Sequence, residues 1–151
     1  MKRQIIKLFT CFSIFTFTLC GCSSSASYKD GVYEGKSEMH ENLDEDGADA
    51  GNGYGVVTIT IKDGAITDCE FKTYEPDGTL KDENYGKKEG DVANRDYYNK
   101  AQKALAACDQ YAQMLVENGS LDGIDAISGA SINYDEFVEA VTAALNQAKE
   151  K

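Results

Sequence analysis

VVTITIKDGAITDCEFKT, residues 56–73, reads as two strands and the turn that joins them. Val56 to Lys62 is β-branched at six of seven positions and sets Val57, Ile59 and Ile61 on one face. Ala65 to Thr73 follows after only Asp63 and Gly64. A two-residue link between strands needs φ > 0 at both positions, which Asp-Gly tolerates, so the pair predicts a tight antiparallel hairpin.

Outward from that hairpin, Tyr28 to Lys36 holds Val32 and Tyr33 between Gly31 and Gly35 and predicts a further strand. Downstream, 74–92 is polar and rich in glycine and charge, and predicts irregular structure. Asn94 to Asn118 spaces Tyr97, Ala101, Leu105, Cys108, Ala112 and Leu115 as a helix does, with Gly119 placed to end it. A second helix is expected from Tyr134 to Lys149, with Phe137, Val141, Leu145 and Ala148 on one stripe. Asn133 is its expected N-cap, and Glu136 completes a capping-box pattern of about 1 kcal/mol. Strands followed by segregated helices predict an α+β fold, a small antiparallel sheet with a central hairpin covered by two main helices.

The 151 residues carry 15 Lys and Arg against 26 Asp and Glu, a net charge of −11, and are 42% hydrophobic. One domain is expected at this length. The acidic balance excludes nucleic acid as a partner, because a phosphate backbone demands a basic footprint. It equally excludes adhesion to an anionic membrane through a basic face. A single His, with neither a CxxC pair nor HExxH, gives zinc chemistry poor support, and no Walker loop or GxGxxG turn occurs.

The first 21 residues form a separate unit. Lys2, Arg3 and Lys7 precede an uncharged run from Leu8 to Leu19, LFTCFSIFTFTL. That run suits a signal-peptide core and falls short of the ~20 residues that cross a bilayer. Leu19-Cys20-Gly21-Cys22 then resembles the lipobox of bacterial lipoproteins. The resemblance implies cleavage after residue 21, lipidation of Cys22, and a chain tethered to the cell membrane on its extracytoplasmic face. Residues 22–27 would be the lipidated Cys and a serine-rich spacer, and 28–151 the folded domain. With the segment removed, 12 basic residues remain against 26 acidic ones, a balance of −14. Cys69 and Cys108 are then the remaining thiols; spacing alone leaves open whether they bridge or stand as small buried hydrophobes.

Before the second helix stands DAISGAS, residues 125–131. Small residues uncover backbone amides there, and a helix start adds unpaired N–H groups and the positive end of a dipole, a seat for phosphate. The same composition suits a plain turn.

This stretch resembles the Asp-x-x-(Ser/Thr)-Gly-Ala-(Thr/Ser) signature of the bacterial FMN-binding domain family. Tyr28-Lys29-Asp30-Gly31-Val32-Tyr33-Glu34-Gly35 is similar to that family's opening strand, and Val57 to Ile66 to its hairpin. The ordered set spans nearly all of 28–149. The resemblance implies FMN as cofactor, attached from FAD by a flavin transferase to the hydroxyl of the signature's last residue. That acceptor would be Ser131, where Thr is usual, with Asp125, Ser128, Gly129 and Ala130 forming the recognised loop. It further implies an electron carrier rather than a substrate-converting enzyme, working with a membrane-associated redox donor or acceptor. A flavin-free surface lipoprotein using the fold as a binding module is the alternative, and a reductase partner with noncovalent FMN a third.

Two weaker features complete the chain. Tyr54, Tyr74 and Tyr85 are candidate stacking faces for a flavin ring, against a plain strand and core role. Asn42, Asp44, Asp46 and Gly47 match the opening of a calcium loop, but Gly53 stands where its bidentate Glu belongs, so a solvated acidic loop is expected.

Overall fold

The structure is a computed structural model and describes residues 28–41 and 51–149. The signal segment, Cys22, and the calcium-like positions Asn42, Asp44, Asp46 and Gly47 lie outside the described residues.

Three strands, β1 (Gly31–Lys36), β2 (Tyr54–Lys62) and β3 (Ala65–Tyr74), form an antiparallel sheet in the order β1-β2-β3. The expected hairpin is its centre. Asp63 and Gly64 take φ of 53° and 74°, the left-handed pair that a twisted two-residue turn requires. A bulge interrupts the ladder between Thr60 and Ile61, which pair with Asp68 and Ile66. The opening strand is shorter than its sequence suggests. Tyr28 instead bridges Lys149, and Lys29 N–H donates to Ala148 O at 2.8 Å, so both ends of the domain meet.

Two helices, α1 (Arg95–Asn118) and α2 (Ser131–Ala148), cover one sheet face. α2 lies on β1 and β2, and α1 on β3. Val57, Ile59 and Ile61 point into this layer and are essentially sealed from water. They meet Phe71, Phe137, Tyr111, Leu115 and Val141, the Tyr111 and Phe137 rings stacking at 5.4 Å. The burial of such side chains stabilises by about 1.5–3 kcal/mol each before conformational entropy is subtracted. At Gly35 the β1 backbone runs so close to α2 that a Cβ would sit 2.0 Å from Ala140 O. Glycine there sets the distance between sheet and helix.

Both ends of α1 follow local chemistry. Asn94 Oδ1 accepts from Tyr97 N–H at 3.0 Å, and Gly119, at φ 69°, donates to Leu115 O. The start of α2 differs from its sequence reading. It begins at Ser131, not Tyr134, and Ala130 holds the cap position without a side-chain hydrogen bond. Asn133 is buried inside the helix, where its Nδ2 donates to Cys108 Sγ at 3.4 Å. A side chain engaged in the core cannot cap, so no capping box forms.

Between β3 and α1 the chain is irregular, as expected, but pinned. Lys81 N–H donates to Thr73 O, and Gln102 Nε2 donates to the carbonyls of Asp82 and Tyr85 at 3.1 and 3.0 Å. Tyr98 donates its hydroxyl to Glu83 O.

Candidate functional site

DAISGAS is supported from below by aromatic hydroxyls. Tyr111, fully buried on α1, accepts from Ile127 N–H at 2.7 Å and donates to Ala130 O at 3.2 Å. Tyr134 donates to Ile124 O at 2.9 Å. The loop closes through Ala130 N–H to Ile127 O, and Gly129 takes φ 85°, a left-handed conformation that disfavours a side chain. These bonds fix the path of the chain into α2 and leave Ser128, Gly129 and Ser131 exposed.

Because α2 begins at Ser131, that hydroxyl stands on the first residue of the helix. Ala130 supplies no capping oxygen, so the first amides keep their capacity to bind an anion. Asp135 and Glu136 fall beyond the first turn, which holds no acid.

Ser131, Ala130 and Gly129 line a cleft of about 400 Å³, together with Tyr85 and Tyr97. A cleft of this size falls within the range of small-molecule sites. Its only charged lining residues, among those described, are Lys81 and Lys100. Lys103 adds a third cation beside it, its Nζ 3.7 Å from where a Cβ on Gly129 would stand. An acidic protein thus presents a basic pocket around its one candidate acceptor hydroxyl. Asp125 and Ser128 belong to the loop but do not line the cleft.

Of the three candidate stacking tyrosines, only Tyr85 reaches the cleft. Tyr97 hydroxyl donates to Tyr85 hydroxyl at 3.2 Å, and Lys81 Nζ lies 5.0 Å from the Tyr85 ring. Tyr54 and Tyr74 stack on each other at 5.4 Å, under Lys36, and are not among the cleft's lining residues.

Behind the cleft wall lies an unusual polar group. Glu136 is fully buried and neither carboxyl oxygen has a hydrogen-bond partner. Burial pushes its carboxyl up to about 7, against the pull of Lys81 and then His40, with Glu139 and Asp135 adding to the rise. Lys81 is itself 8% exposed. His40 bonds Glu139 at 3.2 Å and pairs with Gly53 across a backbone bridge. Both thiols are free. Burial pushes Cys108 up to about 11, and burial with Asp68 and Glu70 takes Cys69 to about 12, so neither is a nucleophile at neutral pH.

Sequence reasoning reaches Ser131, Ala130, Gly129 and Tyr85, and misses Lys81, Lys100, Lys103, Tyr97 and Tyr111 as parts of the site. One available signal concerns Glu136. Asn133, Glu136, Phe137, Ala140, Val141 and Ala144 share one helical stripe, so a polar pair on the apolar face was legible.

A family model described as an FMN-binding domain matches residues 51–146. A crystal structure of a Clostridium perfringens protein is similar in fold, with a TM-score of 0.55 and 21% identity over 80% of this chain and 88% of that one. A solution NMR structure of a Clostridium thermocellum protein is 24% identical over 82% of this chain and 95% of that one, with a TM-score of 0.39. No curated protein matches.

Proposed function

The chain belongs to the FMN-binding domain family and FMN is its cofactor, and from that premise we propose that it is a membrane-anchored extracytoplasmic electron-transfer protein. FMN, when bound, supplies one- and two-electron chemistry, while the protein holds and tunes it. The observation that carries this reading is Ser131, an exposed hydroxyl on the first residue of α2, at the edge of a cleft whose charged lining is cationic. Lys100 and Lys103 offset the phosphate's charge, together with the uncapped amides of α2. Tyr85 and Tyr97 offer aromatic faces to the ring.

Attachment is to Ser131. A flavin transferase brings FAD, the Ser131 Oγ–phosphorus bond forms, and the phosphoanhydride bond of FAD breaks. AMP leaves, and the hydroxyl proton passes to solvent. The chain's own part is to present the hydroxyl on a loop that Tyr111 and Tyr134 hold rigid. Covalent attachment suits an exported carrier, since a reversibly bound cofactor is lost to dilution outside the cell. Cys22, lipidated after removal of residues 1–21, would hold the domain at the membrane surface beside its redox partner; two acyl chains give stable anchoring.

The test is intact mass on protein recovered from the producing cell's envelope. Addition of one FMN less water, lost in Ser131→Ala with the fold retained, is the expected result. Flavin fluorescence persisting on a denaturing gel in Ser131→Ala would place the ester elsewhere.

A further inference from the structure

Glu136 has no role in the reading above, yet among the described residues it is the one acidic side chain that is fully buried. An isolated carboxylate in a protein interior is strongly disfavoured, and either neutralises or requires a cation. Glu136 has no hydrogen bond and no ion pair within contact distance among the described residues. Its location is specific. It stands on α2 five residues beyond Ser131, with its Cβ 3.0 Å from where a side chain on Gly55 of β2 would begin. The largest cationic influence on it is Lys81, which lines the cleft and whose Nζ lies 2.9 Å from where a side chain on Gly53, two residues before Gly55, would begin.

We infer that Lys81 and Glu136 form a proton-linked counter-ion pair for the flavin: Lys81 faces the cofactor's negative charge, and Glu136 takes up a proton as FMN binds. The inference rests on FMN occupying this cleft and adds to it a linkage to pH. With Glu136 ionised, its carboxylate competes for the Lys81 field. An anion entering the cleft draws on that same field, so the carboxylate loses its compensation and accepts a proton from solvent. No covalent bond changes. By reciprocity, protonation of Glu136 must strengthen anion binding by the same factor.

Among the described residues, the surroundings of Glu136 supply no competing account. Around Glu136, Lys81 comes from the segment after β3 and His40 from the segment after β1. Asp135 and Glu139 lie on its own helix. Cys108 acts on it from α1, a thiol held neutral by burial, with Thr73 of β3 beside that thiol. Asp135 and Glu139 are exposed acids that favour protonation further, and His40 is engaged with Glu139.

The experiment uses the full chain carrying Ser131→Ala, free of flavin, so that FMN binds reversibly. Titration with FMN near pH 7 in buffers of different ionisation enthalpy counts the protons taken up. The expected result is a fractional uptake of up to about one proton per FMN, with binding weakening several-fold between about pH 6 and about pH 8. The FMN phosphate itself titrates near pH ~6. That component persists in Glu136→Gln, so the wild-type-minus-variant difference is the deciding quantity. In Glu136→Gln the remaining pH dependence should vanish, and an infrared band of the protonated carboxyl should grow on FMN addition in the parent only. If Glu136→Gln fails to fold, Lys81→Met takes its place, and should bind weakly at all pH with the same loss of slope. Equal profiles in parent and variant, or a parent that takes up no proton beyond the phosphate's share, overturns the pair while leaving FMN binding intact. No binding of FMN at any pH would remove the site and the pair together.

Discussion

Tyr111 combines two environments in one side chain. Its ring stacks on Phe137 in the core, while its hydroxyl bonds Ile127 N–H and Ala130 O beneath the loop. Tyr111→Phe keeps the ring and orphans a partly buried amide, a loss of about 1–3 kcal/mol. Urea denaturation should register that loss, and amide exchange should quicken at 127–131 more than in the sheet. Glu136 sets a pH dependence of the opposite kind. Its carboxyl titrates at about 7 in the folded chain against an ordinary 4.5. Between these values the folded state holds the extra proton, so stability is greatest below the lower value and falls as pH rises. The loss reaches on the order of 3 kcal/mol once pH exceeds the upper value. Glu136→Gln should flatten this slope, and denaturation midpoints at about pH 5 and about pH 8 measure it. A parent no less stable at the higher pH would refute the assignment.

At the scale of elements, β1 and α2 come together backbone to backbone at Gly35. Gly35→Ala would bring a methyl 2.0 Å from Ala140 O and 2.6 Å from Ala144 N, both backbone atoms that cannot rotate away. The strand must move off the helix, at a cost of about 1–3 kcal/mol or more. Thermal melts should therefore fall by several degrees, with the same two-state shape. The start of α2 belongs to this scale as well. Propensity favours Asn133 as a cap, yet the loop's own hydrogen bonds begin the helix at Ser131. Two of those bonds come from Tyr111 on another helix, an influence no local window contains.

Over the whole molecule, charge is unevenly placed. The chain carries −11, while the cleft wall presents Lys81 and Lys100 with Lys103 beside it. Field lines from such a pocket concentrate an anion despite the net charge, and salt weakens the effect within about 10 Å. Lys100→Glu combined with Lys103→Glu reverses the sign beside Ser131. Both side chains are exposed, so stability should change little, whereas flavin loading should fall about tenfold at low salt and recover in part at high salt. In-gel flavin fluorescence against total protein reads this directly. Unchanged loading would mean that the lysines do not face the phosphate.

Sequence alone determined the strands, the hairpin turn, both helices and the small-residue loop before α2, because each is set by a local rule. β-branched alternation makes Val56 to Lys62 a strand, Asp63-Gly64 supplies left-handed backbone, and helical spacing with Asn94 and Gly119 bounds α1. Ser131 was legible too, through a contiguous signature. Tertiary structure decided what surrounds that hydroxyl. Lys81, Tyr97 and Lys100 join Tyr85 around it from a pinned loop and another helix, and nothing in the neighbourhoods of those three marks them. Burial of Glu136 was decided at the same level, since a carboxylate's environment depends on which faces pack together, and that is a property of the assembled layers rather than of any segment.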